Sequence, residues 1–116
     1  RSRHEQAMTN VRVDRRNGKI IGFRIKGHAD AHGEGEYDMV CAAISGITYT
    51  ALGALEEMCG IQTHSEKGDC IEMRLPAKLE EAVRYKAEII LEAMEIGLKQ
   101  IEAQYPRHVR TVCKEV

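Results

Sequence analysis

The chain has 116 residues, and its 17 Lys or Arg against 18 Asp or Glu leave a net charge of −1. This length is typical of one domain, and it is sufficient to bury a core without disulfides. The balanced charge, the absence of Trp and the presence of only 1 Phe argue against a nucleic-acid-binding protein that relies on a basic surface or on aromatic stacking.

The spacing of the cysteines and the first seven residues limit the class of protein and the extent of its domain further. The four cysteines are Cys41, Cys59, Cys70 and Cys113. None forms a C-x-x-C pair and their spacing fits no zinc site, so we expect reduced thiols in a cytoplasmic protein. Residues 1–7 precede Met8 and fit no element; we interpret them as an expression remnant or a disordered tail and place a single domain over residues 8–116.

The first predicted element is a β-hairpin over residues 10–27. Apolar and charged residues alternate on both sides of Asn17-Gly18, a dipeptide that favours the positive φ angles of a type I′ turn. One face of this hairpin carries most of its basic residues, which we interpret as a solvated surface. They are Arg12, Arg15, Arg16, Lys19, Arg24 and Lys26.

A helix is predicted over residues 38–59, with Asp38 as the N-cap and Gly60 just past the C-terminus. Residues 39–55 contain no charged side chain, a run that falls short of the roughly 20 apolar residues of a membrane-spanning helix. Ser and Thr within the run favour a central helix that is buried on both sides, and we expect no membrane association.

The rest of the chain predicts a second hairpin over residues 61–75, an amphipathic helix over 78–104 and a short strand over 107–113. The order β-β-α-β-β-α-β indicates an α+β fold, a mostly antiparallel sheet with two helices. Because apolar surface is left over on the helices, we predict a homodimer.

The loop between the first hairpin and the first helix carries the candidate chemistry. With Asp38 as N-cap, Cys41 is the third helical residue, where free N–H groups and the helix dipole favour a thiolate. His28 follows the second strand directly and can accept a thiol proton near neutral pH. Ser45 lies one turn beyond Cys41 on the same helix face.

Interpretations without a catalytic role also remain open for these residues. Cys41 can be a small apolar residue of a buried helix, and His28 an ordinary loop histidine. His28 and His32, with Asp30 between them, have the spacing of a metal site on a helix. The glycines around them argue against a helix, so we predict no metal site. We expect His32, His64 and His108 to be solvent-exposed and the other cysteines to be buried or incidental.

Two quoted segments resemble a known family. The first segment is Gly27-His28-Ala29, which a short Gly- and Glu-rich loop follows, and the second is DMVCAAIS, residues 38–45. Together they are similar to the signature of the Prp family of ribosomal-processing cysteine proteases. The resemblance extends from Met8 to the C-terminus.

The resemblance implies that Cys41 is the nucleophile and that His28 is the general acid/base. It implies that Asp38 is either a third catalytic member or the helix cap. It further implies a cytoplasmic bacterial homodimer without a cofactor, a loop that gates the cleft, and cleavage after an aromatic residue in an apolar stretch. Its substrate is implied to be the N-terminal extension of a large-subunit ribosomal protein, the twenty-seventh in the usual series.

Two functions follow as hypotheses. The first is a cysteine endopeptidase that removes this extension during ribosome maturation. The alternative is a non-catalytic ribosome-assembly module that binds the same protein in the same groove. A nucleic-acid-binding protein is a third interpretation, which the net charge does not favour, so we expect no direct nucleic-acid binding.

Overall fold

The computed structural model describes residues 8–27 and 35–116. Within them the chain forms seven elements in the predicted order. These are β1 (Thr9–Arg16), β2 (Lys19–Lys26), α1 (Gly35–Cys59), β3 (His64–Lys67), β4 (Cys70–Arg74), α2 (Glu81–Gln104) and β5 (Val109–Glu115).

The strands form one sheet in the order β3-β4-β2-β1-β5. The three pairs β3–β4, β4–β2 and β2–β1 are antiparallel, whereas β5 runs parallel to β1. The parallel pair starts where Thr9 N–H donates to the His108 carbonyl at 2.8 Å. The predicted α+β fold with a mostly antiparallel sheet is therefore confirmed, with one parallel edge.

The first hairpin turns as its sequence predicts. Asn17 and Gly18 have φ angles of 54° and 80°, the left-handed values that a type I′ turn requires at both central positions. Ile21 then forms a bulge, because the register shifts between the pairs Asp14–Gly22 and Arg15–Ile20. Arg15 on β1 faces α2 because it alternates with Val11 and Val13, which are buried in the core.

Both helices contribute to one core on the same side of the sheet. The largest buried side chains are Val11, Val13, Ile20, Phe23, Ile25, Val40, Ile44, Leu55, Ile71, Leu91, Leu98 and Val109. α1 is long and apolar enough to cross a membrane by composition alone, but here Val40, Ile44 and Leu55 pack into this core. Its opposite side exposes Met39 and Met58, so the predicted cover on both sides is wrong for the single chain.

Both helices start away from their predicted residues. α1 begins at Gly35, three residues before Asp38, and Gly35 has a φ of 75°. α2 begins at Glu81 instead of Lys78. Glu80 has φ −58° and ψ 148°, an extended conformation that prevents the helix from starting before it.

A buried carboxylate joins α2 to the two parallel strands. Glu95 is 3% exposed and lies in ion pairs with Arg15 and with Lys99, the latter at 3.4 Å. The Cys113 thiol donates at 2.9 Å to Glu95 Oε2, the oxygen that also pairs with Lys99, whereas Arg15 pairs with Oε1. Burial alone raises the pKa of Glu95, but the combined effect of Cys113, Arg15 and Lys99 lowers it below its ordinary value of 4.5.

Because the folded-state pKa of Glu95 is depressed, its contribution to stability is present above pH 4.5 and is lost as the pH falls through the lower folded value. Glu95→Gln is expected to reduce the free energy of unfolding at pH 7 by about 1–3 kcal/mol, and by less at pH 3. Urea unfolding at both pH values measures this difference. Glu92→Gln is the control, because Glu92 pairs with the same Arg15 but its side chain is 43% exposed. An equal loss in both variants would contradict the prediction.

Candidate active site

Cys41 lies in the second turn of α1, as its seventh residue, and its side chain is 1% exposed. Its Sγ is 3.9 Å from the hydroxyl of Thr9, at the start of β1. Because Cys41 is the seventh residue of α1, the prediction that it is the third helical residue is wrong. Only the first four N–H groups of a helix lack an acceptor, and the dipole acts mainly within the first turn. The N-terminus of α1 thus gives Cys41 less support than the sequence suggests.

Tyr37 connects α1 to the ends of two strands. Its hydroxyl donates to the Gly27 carbonyl at 2.6 Å and lies 3.3 Å from the Thr9 hydroxyl. Thr9 therefore lies between the Tyr37 hydroxyl and the Cys41 thiol. One chain of polar contacts runs from the end of β2 through the start of β1 to the candidate nucleophile.

The backbone at Gly27 is constrained where the chain leaves β2. Its φ is 98°, and a Cβ at this position would be 2.7 Å from the Met8 carbonyl oxygen. Its N–H donates to the Asp69 carbonyl at 2.9 Å. Only glycine suits this conformation, and the residue that precedes His28 is held by contacts on both of its sides.

Several predicted residues fall outside the part of the chain that the structure describes. They are His28, Asp30 and His32, together with the rest of the segment 28–34. The assignment of His28 as general acid/base therefore stays a prediction. The metal alternative that joined His28 to His32 also lies in this segment. Within residues 8–27 and 35–116, no group of three or more potential ligands could hold a metal ion.

Asp38 and Ser45 flank Cys41 on α1. Asp38 is the fourth residue of the helix, so its predicted role as N-cap is wrong; its role as a third catalytic member remains a prediction. Ser45 lies one turn after Cys41, at the i+4 spacing that places two side chains on one helix face. Both side chains are half-buried, while Ala42 beside the thiol is exposed.

His108 was expected to be exposed, and this expectation is wrong. Its side chain is only 17% exposed, its Nε2 is 3.3 Å from the Glu36 carboxylate, and its ring lies 5.4 Å from that of Tyr37. Sequence reasoning missed Thr9, Tyr37 and His108 as site neighbours. No local pattern marks them, because each acts through residues that are distant in the chain.

The other cysteines differ from Cys41 in their surroundings. The hydrogen bond to Glu95, and then burial, raise the pKa of the Cys113 thiol, so this thiol stays protonated near neutral pH. Cys70 Sγ lies 3.4 Å from Arg24 on the open side of the sheet. Cys59 is partly buried against the core. None of the three lies beside the chain of contacts that includes Thr9 and Tyr37.

Comparisons with known proteins identify the family. The sequence profile described as cysteine protease Prp matches residues 8–110. The chain belongs to the Prp family. Two relatives are both called ribosomal processing cysteine protease Prp. The protein of Bacillus subtilis is 29% identical over 94 residues, 78% of this chain and 83% of its own length. The protein of Staphylococcus aureus is 27% identical over 96 residues, which cover 80% and 86%.

Solved structures show the same fold. A protein from Streptococcus mutans superposes with a TM-score of 0.80 at 22% identity, covering 96% of this chain and 97% of its own. The Prp protease of S. aureus in complex with a substrate peptide has a TM-score of 0.72 at 25% identity, with coverage of 92% and 100%. A second structure of the S. aureus protease holds a covalently linked product peptide. The fold and the cysteine protease class of this chain are those of the Prp family.

Proposed function

We propose that this Prp-family protease removes the N-terminal extension of a large-subunit ribosomal protein during ribosome maturation, with Cys41 as nucleophile. The observation that carries the proposal is the position of Cys41, 3.9 Å from Thr9 in a network that also holds the residue before His28. The names and bound peptides of the relatives support a peptide substrate of ribosomal origin.

The chemistry proceeds through a covalent intermediate. The His28 imidazole accepts the Cys41 proton, and the thiolate attacks the carbonyl carbon of the scissile peptide bond. His28 then protonates the departing amine, which leaves a thioester on Cys41. Water, deprotonated by His28, attacks the thioester and releases the acid. No cofactor enters these steps, and Asp38 or Ser45 would orient the reacting pair.

Tyr37 is assigned a positioning role in this scheme. Tyr37→Phe leaves the Gly27 carbonyl without its donor and loosens the chain before His28, so we expect kcat/KM to fall about tenfold, a cost of order 1.4 kcal/mol. The pH profile of kcat/KM should shift as well, which lost packing alone would not cause. Tyr49→Phe is the control, because its hydroxyl binds Glu66 at the surface. An unchanged rate and pH profile for Tyr37→Phe would refute this role.

The alternative function is a ribosome-assembly module that binds the same extension without cutting it. The two functions are separated by incubating the chain with the extended ribosomal protein and measuring product masses. Cleavage to a defined mature N-terminus is expected from the native chain and not from Cys41→Ala. Stable binding of the intact protein by both, with no cleavage, would favour the binding module.

We also propose that the protein is a cytoplasmic homodimer. The outer faces of the helices expose large apolar side chains, namely Met39, Tyr49, Met58, Tyr85, Ile89 and Ile96. A depression of about 300 Å³ lies between the helices, lined by residues such as Met39, Ile47 and Ile101. A second copy seated here would remove this apolar surface from water.

Sedimentation velocity tests the dimer. We expect the native chain to sediment as a dimer and Ile89→Glu/Ile96→Glu as a monomer, because two buried charges would oppose association. Val112→Glu is the matched control, since Val112 is equally apolar and 47% exposed but lies on the sheet face opposite the helices. A monomeric native protein, or equal dissociation by both variants, would exclude this interface.

A further inference from the structure

The side of the sheet opposite the helices has an unusual charge distribution. The strand registers place four rows of side chains on this open face. Its cationic members among the described residues are Arg12, Arg16, Lys19, Arg24, Lys26, Lys67, Arg74, Arg110 and Lys114, and its carboxylates are Asp14 and Glu72. These groups sum to +7 on a chain whose net charge is −1, so all other residues together carry −8.

Part of this charge is neutralised within the face. The buried carboxylate of Asp14 binds Arg12 at 2.9 Å and Arg74 at 3.2 Å. Glu72 lies 3.4 Å from Arg24. Two carboxylates thus serve three guanidinium groups, which remain 34–52% exposed.

The remaining cations face solvent. The exposed cations of this face that form no salt bridge within the part of the chain that the structure describes are Arg16, Lys19, Lys26, Lys67, Arg110 and Lys114. Two of them, Lys26 and Arg110, lie on either side of Asn10 in one row of the sheet. Together with Arg12 and Arg24 they line a shallow depression of about 170 Å³.

The charge and the side-chain composition of this face select among partners. A second copy would place one cationic surface against another, so the face does not suit self-association. Aromatic side chains are absent from the open face among the described residues, so bases cannot stack there. Guanidinium and ammonium groups spread over the open face of the sheet suit a regular array of phosphates. RNA and DNA duplexes both present phosphates in this way without exposed bases, and the ribosomal processing role in the relatives' name points to RNA.

We propose that the open face of the sheet binds the phosphate backbone of double-stranded RNA, independently of base sequence. The expectation of no nucleic-acid binding came from the scarcity of aromatic residues and from the net charge. The net charge averages over two oppositely charged sides of the molecule. The binding surface lies on the side of the sheet away from Cys41. It is therefore separate from the proposed peptide cleavage, and either proposal can fail without the other.

Fluorescence anisotropy with a labelled RNA duplex of about 20 base pairs tests this inference. Affinity should fall steeply with salt, because each neutralised phosphate releases counterions. Lys67→Glu/Arg110→Glu should weaken binding at least about tenfold and flatten the salt dependence. The matched control is Lys78→Glu/Lys86→Glu, which changes the net charge equally at exposed positions away from the sheet. Cleavage of a short free peptide should be unchanged in both.

Three results would overturn the proposal. The first is an absence of RNA binding by the native chain at low salt. The second is an equal loss of affinity in the open-face and control variants, which would indicate an effect of net charge only. The third is binding to vesicles of anionic phospholipid at least as tight as to the duplex at the same salt concentration, which would assign the face to a lipid surface.

Discussion

Cys41→Ala is expected to reduce cleavage of the extended ribosomal protein by at least about 10⁴-fold, because no other atom can form the thioester intermediate. The fold should tolerate the change. Cys41 is buried beside Thr9, and alanine removes one atom without adding volume. Product masses over time measure the loss, and circular dichroism checks that the variant is folded.

Cys113→Ala and Cys70→Ala are the controls for this experiment. Both residues lie away from Thr9 and Tyr37, so both variants should cleave at close to the native rate. The Cys41→Ala variant should still bind the extension, because the peptide contacts are unchanged. Residual cleavage by Cys41→Ala within tenfold of the native rate would exclude Cys41 as nucleophile. The assignment of the chain to the Prp family would not be affected.

His28→Ala is expected to reduce kcat/KM by about 10²–10⁴-fold, the usual contribution of a general acid/base. It should also slow the alkylation of Cys41 by iodoacetamide near pH 7 by about tenfold or more, because the thiolate loses its imidazolium partner. Mass spectrometry of the labelled peptide, measured against pH, reports both rate and pKa. The raised pKa of Cys113 keeps its background labelling low at this pH.

His64→Ala is the matched control, since His64 is exposed in β3 and has no part in the proposed chemistry. It should label and cleave like the native chain. Fast labelling of Cys41 that persists in His28→Ala would show that another group supports the thiolate. Equally slow labelling in the native chain and in His28→Ala would exclude a thiolate–imidazole pair in the free protein.

The local chemistry of the sequence was sufficient to predict much of the fold. Asn17-Gly18 specifies the first turn because both residues accept positive φ, and the structure has φ 54° and 80° there. Alternating apolar residues around this turn correctly predict two strands. Apolar residues at helical spacing predict α2, of which Met94 and Leu98 are buried. The quoted segments around His28 and Cys41 were sufficient for the family, which the profile match confirms.

Features that join distant segments were decided only by the tertiary structure. α1 starts at Gly35, and in its first turn Tyr37 binds Gly27 and lies against His108. A capping residue such as Asp38 cannot reveal this packing. Likewise, the parallel pairing of β5 with β1 depends on where α2 returns the chain, which strand propensity does not encode.

The arrangement of the site and of the open face of the sheet was likewise decided by the tertiary structure, because both join distant segments. The sequence by itself determined the candidate residues Cys41 and His28, because the chemistry of each side chain and of its neighbours in the chain was sufficient to single them out. The contact of Cys41 with Thr9 spans 32 positions, and the basic face combines residues from all five strands. Both depend on strand order and register, which arise from the burial of a shared core and not from any local pattern.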